Sequence, residues 1–330
     1  MRRLALLVCC LSCAEWRMAP TFPEQAAGQP VVHEQALVGL TDDGDAAVVE
    51  LVDAEGDEPR LTLSAWGRAG EPARVLLVAP PDRARAVAGQ IRELGNRAAP
   101  LLAQSVQREW PQASAAAAAQ GYLARAPAQP EPGEVWRIVG AAGAGSLPFS
   151  LRTAMTPAPA LALLLSDGAA EEIELARMPL AGAPAAPQLW RQGSTAWLLS
   201  GSVLEGKPLR RAIGLRRASL LRGEARLHDL HGLADRAAGD LDAARREFER
   251  AIAADPGFLD GLYNAAATAA LAGRADDAVV LLSRAAAIDP ARVQVLGRND
   301  PDLQSVRGRA DVRALLGMRR APPEGVPPPP

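Results

Sequence analysis

The sequence predicts an α+β protein: an N-terminal, mostly antiparallel β domain with a helical insertion, then a C-terminal all-α array of helical hairpins. Three observations carry this. Between residues 31 and 217, short alternating apolar runs are separated by Gly, Asp and Pro turns. From about Leu220 to Leu316 the apolar period becomes helical. The stretch AIAADP at 251–256 returns as AAAIDP at 285–290, 34 residues further on.

Composition sets the bounds. The chain has 330 residues, room for two ordinary domains, and its 48% hydrophobic content is that of a globular protein. Aromatic residues are only 4%, so the core must be built from Ala, Leu and Val. A net charge of −2 gives no overall pull towards nucleic acid, and none is expected as a partner. Lys207 is the one lysine among 36 basic residues, and that bias, with the Ala and Pro excess, suggests a GC-rich bacterial coding sequence. Cys9, Cys10 and Cys13 are the three cysteines, so nothing downstream forms a disulfide or thiolate metal site.

Those cysteines sit in MRRLALLVCCLSC (1–13), which reads as a signal peptide. Arg2 and Arg3 make a charged n-region, and Leu4–Leu11 an apolar h-region too short to span a bilayer in a mature protein. Leu11-Ser12-Cys13 resembles the end of a bacterial lipoprotein signal, which implies lipidation of Cys13 and a membrane contact through that anchor. Ser12-Cys13-Ala14 also has the small-x-small form of a secretory cleavage site, which implies a soluble secreted or periplasmic chain. A cytosolic protein with an apolar start is the plainer alternative. Residues 14–30 read as a Pro- and Gly-containing tether.

VVHEQALVGL (31–40), DAAVVELVDA (45–54), RLTLSAWG (60–67) and ARVLLVAP (73–80) read as a strand meander joined by TDDG, EGDEP and AGEP turns. Pro80-Pro81 stops the last strand, and Asp82 caps a helix with apolar positions Ala84, Val87, Ala88, Ile91 and Leu94. Further helix, interrupted at Pro111, is expected to Ala126, giving a helical insert over 82–126. After the linker PAQPEPGE (127–134), strands resume at 135–141, 149–155, 160–166, 171–178, 195–203 and 209–217. Residues 318–330 end in PPEGVPPPP, a polyproline-like tail expected to be disordered.

The helical part carries the repeat. Gly239, Ala244, Phe248 and Ala251 precede Pro256 at the same offsets as Gly273, Ala278, Leu282 and Ala285 precede Pro290. Glycine permits the turn between two helices, alanine lets them approach, Phe248 and Leu282 fill the space between layers, and proline stops the second helix. The second unit (259–290) carries Leu262, Tyr263 and Asn264 on its first helix. In the first (about 225–256), the stripe Leu227, Leu230, Ala234 and Ala237 runs one residue out of frame, which predicts a longer inter-helix turn. In the segment 299–317, Asp300-Pro301 starts one short helix and Ala310–Leu316 forms another, the pattern of a terminal cap over the last apolar face.

Together these features resemble the tetratricopeptide repeat. The resemblance implies antiparallel helix pairs whose first helices line a concave groove that binds a protein or peptide partner. The groove residues it implies are Asp260, Tyr263, Ala267, Ala270 and Leu271, with Asn264 supporting helix packing or reaching a peptide backbone. The basic residues by which some relatives clamp a terminal carboxylate are missing from this helix, so apolar contact is expected instead. Two units and a cap are equally the size of a plain docking module for the β domain.

Chemistry-bearing motifs are few. GSVLEGKP (201–208) has the spacing of a phosphate-binding loop, but Pro208 stands where a Ser or Thr would hold Mg²⁺, so a hairpin turn is expected. GAAGAG (140–145) leads into Leu147-Pro148-Phe149 rather than a helix, and reads as a turn. His228, His231 and Asp235 share a helix face at i, i+3 and i+7; a metal could use them, but helix packing or a solvated face accounts for them, and no metal or cofactor is expected. The basic run Arg210–Arg226 reads as solvated surface, with anionic lipid as a second reading, and TDDGD (41–45) as a turn. No nucleophile–base motif occurs, so no catalytic residue is assigned. The sequence therefore predicts a non-enzymatic cell-envelope protein that scaffolds protein–protein interaction. A ligand- or glycan-recognising β domain with the repeats as scaffold is the alternative, and an enzyme a third reading.

Overall fold

The computed structural model describes residues 31–54, 56–67, 74–94, 100–129, 135–138, 149–157, 160–168, 172–180, 182–204 and 210–318. Residues 1–30, read above as a signal and tether, with Cys13, the GAAGAG stretch, Lys207 and the proline tail lie outside these residues. Within the described residues there are two compact units. The first takes the chain up to Ile138, then Ser150–Leu164 and Glu174–Ser219; the second includes Leu165–Ile173 and the chain from Leu220.

In the first unit, β1 (Val31–Leu40), β2 (Ala46–Ala54), β3 (Arg60–Trp66) and β4 (Arg74–Val78) form the expected antiparallel meander. TDDGD makes the β1–β2 turn: the Asp45 amide donates to Thr41 Oγ1, and Gly44 takes a φ of 83°. The insertion is three helices, α1 (Pro81–Leu94), α2 (Leu102–Glu109) and α3 (Gln112–Ala119). Helix ends at Ala119 rather than Ala126. Gly121 turns the chain at a φ of 86°, and Leu123 then pairs with Leu40 through two 2.9 Å backbone bonds.

A four-stranded sheet follows in sequential order: β5 (Val135–Ile138), β6 (Phe149–Met155), β7 (Ala160–Ser166) and β8 (Ile173–Pro179). The chain then returns to the first sheet with β9 (Ala183–Pro184), β10 (Gln188–Gln192), β11 (Thr195–Leu204) and β12 (Arg210–Ser219). The resulting order is β10-β11-β12-β1-β2-β3-β4, with β9 on β11. Its pairings are antiparallel except β1 with β12, which run parallel. Strand β10 is short and bounded by Pro187 and Gly193, so its five residues give little alternation to read.

Successive residues of a strand face opposite sides, and β2 is buried on both. Ala47, Val49 and Leu51 join a core with Val87, Ile91, Leu102 and Trp110 of the insertion. Ala46 and Val48 join a second core with Trp190, Trp197, Leu199 and Ile213. Inside the first lies a buried ion pair: Arg211 Nε donates to Glu34 Oε1 at 2.6 Å, and both side chains are at most 1% exposed. Glu34 Oε2 accepts from the Leu102 amide at the start of α2, which ties β1, β12 and the insertion together. Desolvation pushes the Glu34 carboxyl up, and Arg211 opposes it. Arg211 thus leaves the surface run expected of Arg210–Arg226.

The second unit contains α4 (Leu220–Ala237), α5 (Leu241–Ala254), α6 (Leu259–Leu271), α7 (Ala275–Ile288), α8 (Pro290–Gly297), a 3-10 turn at Pro301–Leu303 and α9 (Ala310–Leu315). Gly239 and Gly273 turn the chain between paired helices at φ 85° and 73°. Asp240 caps α5 and Asp289 caps α8, each accepting a backbone N–H three residues on. Pro290 follows the end of α7, as expected, and also opens a further helix, α8, at its first turn.

The first repeat is also in frame. Its buried residues Ala225, Leu227, His228, Asp229 and Gly232 each lie 34 before Leu259, Gly261, Leu262, Tyr263 and Ala266, which are also buried. Ala234 and Ala237 of the stripe expected from sequence are exposed. The stripe looked displaced because two of the true core positions carry polar residues.

Candidate functional site

Helix α6 is apolar nearly all round and is buried on most of its surface, as expected of a central helix in a stack. Ala266, Ala267, Ala269 and Ala270 are at most 2% exposed, so neighbouring helices approach without side chains between them. Thr268 Oγ1 donates to the Asn264 carbonyl within the helix, and three other polar groups are each committed to a different neighbour. Asp260 receives Nη2 of Arg292, from α8, on both carboxylate oxygens at 2.7 and 3.0 Å. Tyr263 donates its hydroxyl to Asp300 Oδ2 at 2.5 Å. Asn264 faces the other way and donates Nδ2 to Asp229 Oδ1 of α4 at 2.8 Å.

These bonds shift the local electrostatics. Burial, with the adjoining Asp300 carboxylate, holds the Tyr263 phenol far above its usual range, so it stays a donor. Burial pushes the Asp229 carboxyl up to about 6, although the Asn264 amide favours the ionised form.

The groove stripe Asp260–Tyr263–Ala267–Ala270 is one continuous line on α6, and the chain's own C-terminal segment lies along it. Asp300 meets Tyr263, Ser305 Oγ donates to the Ala270 carbonyl at 2.9 Å, and Asp302 is 3.4 Å from Arg236 of α4. Leu303 and Val306 pack into the same cluster as Leu262, Tyr263, Ala266 and Ala267, with Val312 and Leu316 of the cap. Of the six α6 residues implied by the resemblance, Leu271 keeps the largest apolar exposure, 45%. Near it in chain order, Val280, Ile288, Val295 and Leu296 are also exposed on α7 and α8.

The pairs Asp229–Asn264, Tyr263–Asp300 and Asp260–Arg292 were not legible as pairs. Their spacings of 35, 37 and 32 residues are near one repeat length, which is the signal that would have found them. His228 and His231 do come together with a carboxylate, but it is Glu247 of α5 and not Asp235. The basic run makes no single patch: Arg222 pairs with Asp255 at 2.9 Å, and burial lowers Arg216 to about 10.

Residues 235–297 match the tetratricopeptide-repeat family model, from the end of α4 to the end of α8. No curated protein sequence matches the chain. The matched segment is the one whose helix pairs and glycine turns repeat at 34 residues, so the likeness to the tetratricopeptide repeat holds over residues 235–297. Among the described residues no helix is long and apolar enough to cross a membrane.

Proposed function

We propose that this chain is a non-enzymatic scaffold of the cell envelope, exported and anchored through a lipid on Cys13, whose repeat unit docks a protein partner. The observation that carries the docking is the tetratricopeptide match over 235–297, together with the exposed apolar residues that the repeat leaves uncovered, led by Leu271. Repeats of this kind in general bind protein segments. The C-terminal segment on α6 makes the groove a competed surface. A partner entering along Tyr263, Ala267 and Ala270 takes the place of residues 300–306, whereas one resting on Leu271 needs no displacement.

Affinity capture from membrane extracts tests this. Intact protein retains a defined partner, and Leu271→Asp loses it while the circular dichroism spectrum is unchanged. Capture undiminished in Leu271→Asp would move binding away from the repeat. For the anchor, Cys13→Ala releases the protein from the membrane fraction; retention of that variant in the fraction would overturn lipidation.

A further inference from the structure

We propose that His228, His231 and Glu247 form a binding site for a divalent transition-metal ion of the zinc class, joining α4 to α5 in the first repeat. The repeat register makes the first argument. Thirty-four residues on, the corresponding positions are Leu262, Ala265 and Leu281. The second repeat is thus apolar where the first carries two imidazoles and a carboxylate. His228 is buried and His231 and Glu247 are partly buried, so their polar groups are at least partly desolvated, at a cost that a ligand can offset.

Geometry makes the second. One ligand atom from each of the three residues lies within 4.8 Å of the others. His228 Nδ1 is 2.7 Å from Glu247 Oε2, and the two imidazoles meet edge to face with centroids 6.4 Å apart. Metal–ligand distances of about 2.0–2.2 Å in a tetrahedral zinc site put ligand atoms roughly 3.5 Å apart, which small side-chain rotations reach here. Arg250 engages Oε1 of Glu247 and leaves Oε2, the atom facing His228, for the ion. Helical bundles build metal sites from imidazole and carboxylate side chains on facing helices, and an i, i+3 spacing puts two such ligands on one face.

The surroundings make the third. Asp167, in the Leu165–Ile173 segment of the same unit, has a buried side chain with Oδ2 3.6 Å from His231 Nε2. It is near enough to interact electrostatically with this imidazole. Glu224, one turn before His228, is a further buried carboxyl. A simple hydrogen-bonded staple between α4 and α5 needs only His228 and Glu247. The second imidazole has no part in such a staple. Two nitrogens and one oxygen suit Zn²⁺ or Co²⁺ rather than Ca²⁺ or Mg²⁺, with water in the fourth position.

Titration of the untagged chain with Co²⁺, followed by its visible d–d absorption and by displacement with Zn²⁺, is the test. The expected result is one equivalent bound with a four-coordinate spectrum, and a melting temperature raised by Zn²⁺. His231→Ala and Glu247→Gln each weaken binding at least tenfold and abolish the thermal shift, while Asp235→Ala leaves both unchanged. Glu247→Gln can still hydrogen-bond to His228, so it decides the matter should His231→Ala fail to fold. Absence of a bound equivalent in the wild type, or wild-type affinity in Glu247→Gln, would overturn the site.

Discussion

The two units place their ion pairs differently. Among the described residues of the β unit, the pair of Glu34 with Arg211 is fully buried between residues 177 positions apart. In the helical unit the ion pairs Arg292–Asp260, Arg245–Glu249 and Arg309–Asp276 are partly exposed, and the core is alanine around Phe248 and Leu282. The difference concerns where each unit is vulnerable. The parallel β1–β12 pairing rests on a few non-local contacts, the Glu34–Arg211 pair and the bond from the Leu215 amide to Gln35 Oε1 among them, whereas the helical unit spreads its stability over many close approaches.

That contrast can be broken most sharply at Arg211. Replacing it by Met leaves Glu34 buried without its cation, and unfolding in urea should show a loss of about 3–5 kcal/mol. The double variant Glu34→Leu/Arg211→Met should recover most of it, because an apolar pair of similar volume removes both desolvation penalties. A double variant as unstable as the single one would mean the pair itself contributes the stability.

The helical unit should respond to volume instead. A Cβ at Gly232 would lie 2.7 Å from the Phe248 ring, which is fully buried, so Gly232→Ala should cost about 1–3 kcal/mol in the same assay. Next in size is Tyr263→Phe, which deletes the bond to Asp300; about 1 kcal/mol is expected, confined to the cap.

The smallest effect is electrostatic and lies in the β unit. The hydrogen bond from His33, with a second from Gln35, holds the Glu50 carboxyl below its ordinary value of 4.5. A carboxyl depressed in the folded state contributes stability that is present above 4.5 and is lost as the pH falls through the lower folded value. Glu50→Gln should therefore change neutral-pH stability by less than about 1 kcal/mol and flatten this part of the acid limb, read by circular dichroism. An unchanged acid limb would remove Glu50 from it.

Local pattern was enough for the meander, since the TDDGD turn and the alternation in β1–β3 are written in adjacent residues. It was also enough for the glycine turns at 239 and 273. It could not give the β1–β12 pairing, because Glu34 and Arg211 are ordinary strand residues until the fold brings them together. The same holds for the candidate site. The α6 stripe was readable from the repeat, but its cover was not, since Asp300 and Ser305 look like cap residues of no particular address. His228 and Asp229 misled the frame of the first repeat by being polar at core positions, which is also what marks that repeat as different.

The central claim is that residues 300–307 close the face of α6 that a partner would use. Hydrogen–deuterium exchange of the full chain tests it directly. Leu303, Val306 and Arg307 donate backbone bonds within this segment. The account predicts slow exchange for them in the wild type and faster exchange in Tyr263→Phe, with the β strands unaffected. Exchange in the wild type as fast as in an unfolded peptide would contradict it and leave the groove open.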